Sequence, residues 1–407
     1  MVGAVSIGKF FFGAEGGALY HPPMKHVFFQ KGFRPFFLFG ALLGAALVPW
    51  WAHTYDESLT GAPGLEGIAW HSHEMIFGFT VAILAGFLLT AVENWTDRKT
   101  ARGGLLIGLV ALWGVGRLVG FGGVIASIAG LAELSFLPVL TVVIGIPLIL
   151  AGSRRNYLLL AALPALWLCD VIHHLRASGL LPQTSVRGDL VAVNIIVLIL
   201  VVVTGRIVPL FTRNALQDQR IQAIPGLNMA AIIAVALTVV IEIFAPTGIV
   251  MAVVAGAAGL LVLARAVRWG GHRTLGSPIL WILHLGHAWI VAGLLMKAAA
   301  AVWMGIQPSV ATHALTAGAI GTLTLGMMAR VTLGHTGRLL KVSPFITAAF
   351  VLITLGAVLR VFGPWFQPQL TRTALIVSAN CWFLAFILYV VVNARYLLTP
   401  RPDGKEG

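Results

Sequence analysis

The chain has 407 residues, 58% of them hydrophobic and only 10% charged, with a mean hydropathy of +0.93. A soluble domain carries about 25% charged residues, so this composition excludes a soluble fold and makes lipid the solvent. The net charge of +13 raises the question of a nucleic-acid partner, which the positions of the charges answer below.

A membrane helix needs ~20 mostly apolar residues. Twelve runs near that length follow one another, at about 36–53, 74–92, 104–121, 134–151, 157–174, 190–211, 228–245, 248–265, 278–300, 313–333, 345–363 and 373–394. The expectation is an all-α membrane protein of about twelve transmembrane helices, one polytopic domain over 1–407. Gly and Pro recur inside the runs, as lipid-buried helices tolerate. The seventh and eighth runs are separated only by Phe244-Ala245-Pro246-Thr247-Gly248, so the count of twelve requires a tight turn there. The N-terminus lacks the basic, apolar, small-residue order of a cleaved signal, and the first run is expected to be a retained anchor. Cys169 and Cys381 lie in apolar runs and form no C-x-x-C pair, so no disulfide framework, thiolate zinc site or covalent haem attachment is visible.

Alternate loops are basic. Lys9, Lys25, Lys31 and Arg34 precede the first span. Arg98, Lys99, Arg102; Arg154, Arg155; Arg206, Arg213, Arg220; Arg265, Arg268, Arg273; Arg330, Arg338, Lys341; and Arg395, Arg401, Lys405 follow, 21 of the 27 Lys and Arg residues on one side. By the positive-inside rule that side is cytoplasmic, with both termini inside. The basic balance is therefore topology, and no nucleic-acid partner is expected.

Three segments rhyme. His73 is followed by Gly78 and Gly86, and His313 by Gly318 and Gly326, at the same two spacings. Asp189 reaches Arg206 over the distance that separates His313 from Arg330. Arg117-Leu118-Val119-Gly120 and Arg360-Val361-Phe362-Gly363 match at the ends of the third and eleventh runs, with Glu242 in the equivalent place of the seventh. These matches suggest three tandem four-helix units, about 33–155, 156–272 and 273–398, around an axis along the membrane normal.

Topology sorts the twelve histidines into two layers. His53, His71, His73, His173, His174 and His313 fall near the outer face; His21, His26, His272, His284, His287 and His335 fall toward the inner one. His73 and His313 open equivalent helices. Neutral imidazole ligates haem iron and copper, and two histidines at one level on facing helices can hold a non-covalent haem between them. His71 is two residues from His73, so the two cannot share a helix face; one can bind metal while the other meets the loop or a second metal. His284 and His287, at i, i+3, share a face and suit either copper or hydrogen bonds within the bundle. His173 and His174 close the fifth run, where Asp170 is placed to orient one of them; a polar helix end is the plainer reading. Arg117, Lys297 and Arg360 fall at span ends on the outer side, where a cation needs an anion: a haem propionate, Glu133 or Glu242, unless the side chain snorkels to the interface.

Gly32-Phe33-Arg34-Pro35-Phe36-Phe37, Trp70-His71-Ser72-His73-Glu74-Met75 and Arg330-Val331-Thr332-Leu333-Gly334-His335-Thr336-Gly337-Arg338, in this order, resemble the NnrS family over essentially the whole chain. The resemblance implies a haem- and copper-containing protein of the bacterial inner membrane, acting in the nitric-oxide and denitrification response, with NO as a ligand. A more distant similarity of architecture, twelve spans in three arcs, is to the catalytic subunit of haem–copper oxidases and nitric-oxide reductases. It implies His73 and His313 as axial ligands of a b-type haem. The tenth span here has one histidine rather than H-x-H, and the sixth carries Asp189 and Asn194 in place of a copper histidine and tyrosine, so a binuclear centre of that type is not implied. No catalytic residue is assigned. The leading expectation is a redox or NO-handling haem protein with an unassigned redox partner; a transporter for a metal, an anion or a small nitrogen compound, and a metal or NO sensor, are the alternatives.

Overall fold

In a computed structural model of the chain, residues 27–55, 67–119, 123–182 and 185–407 are described. His21, His26, Lys9 and Lys25 lie outside them.

Twelve helices follow the apolar runs: α1 Phe33–Thr54, α2 Ile68–Thr96, α3 Gly103–Gly116, α4 Gly123–Leu150, α5 Tyr157–Ala177, α6 Gly188–Leu216, α7 Pro225–Phe244, α8 Ile249–Ala266, α9 Pro278–Ala300, α10 Pro308–His335, α11 Pro344–Phe366 and α12 Thr371–Leu398. No strand occurs among the described residues. Eleven of these helices are long and apolar enough to cross a membrane, and α3 is the exception at 14 residues. The run at 104–121 is thus a short helix. Its apolar stretch carries Gly103, Gly104, Gly108, Gly114 and Gly116, and glycine weakens a helix while keeping it hydrophobic. The link between α7 and α8 is a true turn: Gly248 takes φ 86°, which a side chain would resist.

The bundle closes on itself, since α12 packs along both α11 and α1. Three helices fill its interior. α2, α6 and α10 bury 83%, 83% and 78% of their most apolar stretches, against 22–61% for the others apart from α3. α6 touches both α2 and α10. The interior helices explain the motif glycines. A Cβ on Gly78 would fall 2.7 Å from Arg117 Nη1, and one on Gly318 would fall 2.6 Å from the Trp289 indole. Each glycine lets a large side chain from a neighbouring helix reach the centre.

His73 and His313 share a second local feature. Each is followed at once by a seven-residue π-helical turn, Glu74–Thr80 in α2 and Ala314–Ile320 in α10. Such turns widen the helix and cluster at functional sites. At the basic end, Arg34 is almost fully buried and donates to the carbonyls of Tyr396, Leu397 and Thr399. These are orphan acceptors at the C-terminal end of α12, where the helix dipole favours a cation. The Phe33-Arg34-Pro35 segment thereby fastens α1 to α12.

Candidate functional site

The end of the bundle opposite the basic loops carries a buried group of charges on four helices. His73 of α2 points Nδ1 at Glu74 Oε1, 3.3 Å away, and Nε2 at Asp170 Oδ1 of α5, 3.1 Å away, with Glu133 Oε1 of α4 at 3.4 Å. Arg117, just past α3, donates to both carboxylate oxygens of Glu74 at 2.8 and 2.9 Å and also pairs with Glu133. The approach depends on Gly116, whose Cα leaves only 2.9 Å for a Cβ before that of Glu133. His174 Nε2 lies 3.5 Å from Glu133 Oε2 and 3.6 Å from Asp170 Oδ1. Neither approach has hydrogen-bond geometry: His174 Nε2 and Glu133 Oε2 are both buried without a hydrogen-bond partner.

Charge counting makes the site unusual. Glu74, Glu133 and Asp170 bring three carboxylates, all under 5% exposed, and Arg117 brings the one permanent cation. With neutral imidazoles the group carries two surplus negative charges. Isolated buried charge is costly, so protons on the histidines or carboxylates, or a bound cation, must balance the group. One ligand atom each from His73, Glu133, Asp170 and His174 lies within 4.8 Å of every other. Bonds of about 2.0–2.2 Å to a common ion need side-chain shifts of about 1 Å from that spread. Glu74 then holds the second nitrogen of His73, the usual way a carboxylate orients a ligating imidazole.

The sequence candidates divide between this group and two other places. His73, His174 and Arg117 belong to it. His173 stands beside it, its ring 4.8 Å from that of His73, and is not among the four converging ligands. Asp170, expected to orient His173 or His174, makes its hydrogen bond with His73 and also stands 3.6 Å from His174 Nε2. Glu74 and Glu133 are central to the group; the sequence reading gave Glu133 only as an anion for a span-end cation and gave Glu74 no role.

His313 is built into a different cluster. Its Nε2 accepts from Arg360 Nη2 at 2.9 Å and its Nδ1 lies 2.6 Å from Ser309 O. His71, stacked on Trp51 at 3.8 Å and 12°, lies near enough to act electrostatically on His313, and Arg360 on both. His71 and His73 thus diverge from one helix end into two sites, as their spacing requires. Lys297 meets Glu242 at 2.5 Å, and Asn194 donates to the same carboxylate at 3.0 Å. Arg360 forms no ion pair with Asp or Glu among the described residues.

His284 and His287 lie in the other half of the bundle and face α6. His284 Nε2 lies 2.9 Å from Thr212 Oγ1; His287 has Nε2 3.1 Å from Val262 O and Nδ1 3.4 Å from Thr204 Oγ1. No group of three or more converging His, Cys, Asp or Glu ligands includes them among the described residues.

The model of the NnrS family, described as NnrS protein, matches residues 27–401. The chain belongs to the NnrS family. No curated protein matches it. The NnrS match spans all twelve helices and every residue of the buried charge group. NnrS membership and the apolar helices fit a multi-pass membrane protein of the nitric-oxide response.

Proposed function

We propose that this protein holds a redox-active transition-metal ion in the group formed by His73, Glu133, Asp170 and His174, and that it handles nitric oxide there. The observation that carries the reading is a buried set of three carboxylates facing a single arginine, beside two ligand atoms, Glu133 Oε2 and His174 Nε2, that make no hydrogen bond. A divalent ion would balance the carboxylates and engage both atoms. Two imidazoles and two carboxylates, with no thiolate, suit copper(II), which also heads the affinity order of the divalent series. The family resemblance points to the same metal. When bound, the ion supplies an electron-accepting centre at which NO can bind. The chain's part is to fix the donors: Glu74 orients His73, and Arg117 clamps Glu74 to Glu133.

The haem implied by the resemblance has its best-supported place at the second cluster. There His71 from α2, and His313 from α10 once its Nε2 is released by Arg360, would face it. Arg360, a cation with no carboxylate partner among the described residues, would meet a propionate. His73, both of whose nitrogens face carboxylates, is assigned to the metal group in this reading rather than to a haem shared with His313.

Optical spectra and metal analysis of the purified, metal-replete protein test both parts. The expected result is one copper per chain and a b-type Soret band. His73→Ala should remove the copper and leave the Soret band, and His313→Ala should do the reverse. Loss of the Soret band on His73→Ala would return that histidine to the haem, and absence of copper in the parent protein would sink the metal assignment.

A further inference from the structure

Arg265 stands out among the basic residues. Its sequence position places it with the loop charges of the basic end, yet it is only 1% exposed, enclosed by α6, α7 and α9 at the end of its own helix, α8. Gly205 makes the room: a Cβ there would stand 2.7 Å from Arg265 Nη1 and 2.4 Å from Asn228 Oδ1.

Every acceptor the guanidinium finds is neutral. Nη1 donates to Val201 O at 2.8 Å and to Asn228 Oδ1 at 2.9 Å, and Nη2 donates to Thr204 Oγ1 at 3.1 Å. Arginine has five N–H bonds to place. Two remain, that on Nε among them, and Nε is buried without a partner. Arg265 forms no ion pair with Asp or Glu among the described residues. The Trp269 indole lies beneath the guanidinium, 5.3 Å from Cζ to its ring, and its Nε1–H is also buried and unpartnered. His287 packs against the same indole, with ring centroids 4.6 Å apart, and Thr204 joins it to Arg265. One uncompensated cation and two orphan N–H donors on neighbouring side chains therefore lie side by side in the bundle interior. A buried unpaired charge inside a membrane protein is costly and marks a functional site.

The geometry points to a binding site for a small planar monovalent oxyanion of the nitrite, nitrate or formate class, held by Arg265 and Trp269. The single cation matches one negative charge. The side edge of a guanidinium, Nε with Nη2, presents parallel donors to the two oxygens of a planar anion. Trp269 adds a third donor. Asn228, which holds Arg265 Nη1, is half-buried at the start of α7, so the group lies near the surface of the bundle. The site is independent of the metal group, which lies on other helices at the opposite end.

The full chain, purified in detergent, tests this with nitrate as probe against chloride at equal ionic strength. Two readouts serve: the unfolding temperature and the Trp269 indole resonance in ¹⁵N-tryptophan-labelled protein, assigned by its loss in Trp269→Phe. Nitrate should raise the unfolding temperature saturably and shift that one resonance. Trp269→Phe should weaken the apparent affinity about tenfold, the loss of one hydrogen bond to a charged group, and Arg265→Gln should abolish the effect. An unmoved indole resonance in the parent protein, an equal response to chloride, or full nitrate stabilisation in Trp269→Phe would overturn the assignment. The parent and Trp269→Phe measurements stand even if Arg265→Gln does not fold.

Discussion

The fold pairs His73 with His174, which the sequence had not linked, whereas His284 and His287 stand together already at i, i+3. His73 and His174 come from different helices and converge on carboxylates with ligand atoms left unpartnered. His284 and His287 come from one helix and spend three of their four nitrogens on two threonine hydroxyls and a backbone carbonyl. The surrounding charge differs as sharply. The first pair sits where three acids meet one arginine, and His287 sits beside Arg265 with no acid paired to it. The first environment attracts a cation. The second repels one, because a divalent ion near an uncompensated guanidinium gains nothing from its neighbours. Histidine spacing alone therefore says little about metal; the sign of the buried charge around the rings decides.

The largest effect should come from His73→Ala, which removes the ligand that Glu74 and Asp170 both hold. It is expected to leave the purified protein without its copper, read by metal analysis. Arg117→Gln comes next and cuts the other way. It leaves three buried carboxylates without their permanent cation, and breaking a buried ion pair by removing one partner costs about 3–5 kcal/mol. Unfolding temperature should fall steeply in metal-free protein and recover on adding copper; failure to recover would place Arg117 outside the ion's charge balance. Glu74→Gln keeps the shape and weakens the hold on His73 Nδ1. Copper affinity should fall about 10–100-fold, the usual cost of losing such an orienting partner, while the fold is kept. The smallest effect should follow His284→Ala, which deletes one hydrogen bond to Thr212: copper content unchanged, stability lower by about 1 kcal/mol.

Much of the architecture was legible because lipid imposes it. Twelve apolar runs became twelve helices, and only 104–121 fell short, since hydropathy counts glycine as harmless where helix formation does not. The spacing of His73, Gly78 and Gly86, matched by His313, Gly318 and Gly326, marked the two interior helices that share the π-turn. That common turn adds weight to the proposal of a tandem repeat. The site was legible in part. His73, His174 and Arg117 showed themselves as polar residues at span ends. Glu74 did not, although it directly follows His73; its cation, Arg117 just past α3, is 43 residues away in sequence and meets it only in the fold. Arg265 was hidden by the charge count itself: grouped with the loop cations, it gave no sign that α6 and α7 close over it.

Copper loading of two double variants, His73→Ala/His174→Ala and His284→Ala/His287→Ala, measured as bound ion per chain on folded, purified protein, tests the contrast between the two pairs most directly. The expected result is one copper in the parent, one in the His284/His287 variant and none in the His73/His174 variant. Copper retained without His73 and His174, or lost without His284 and His287, would contradict it.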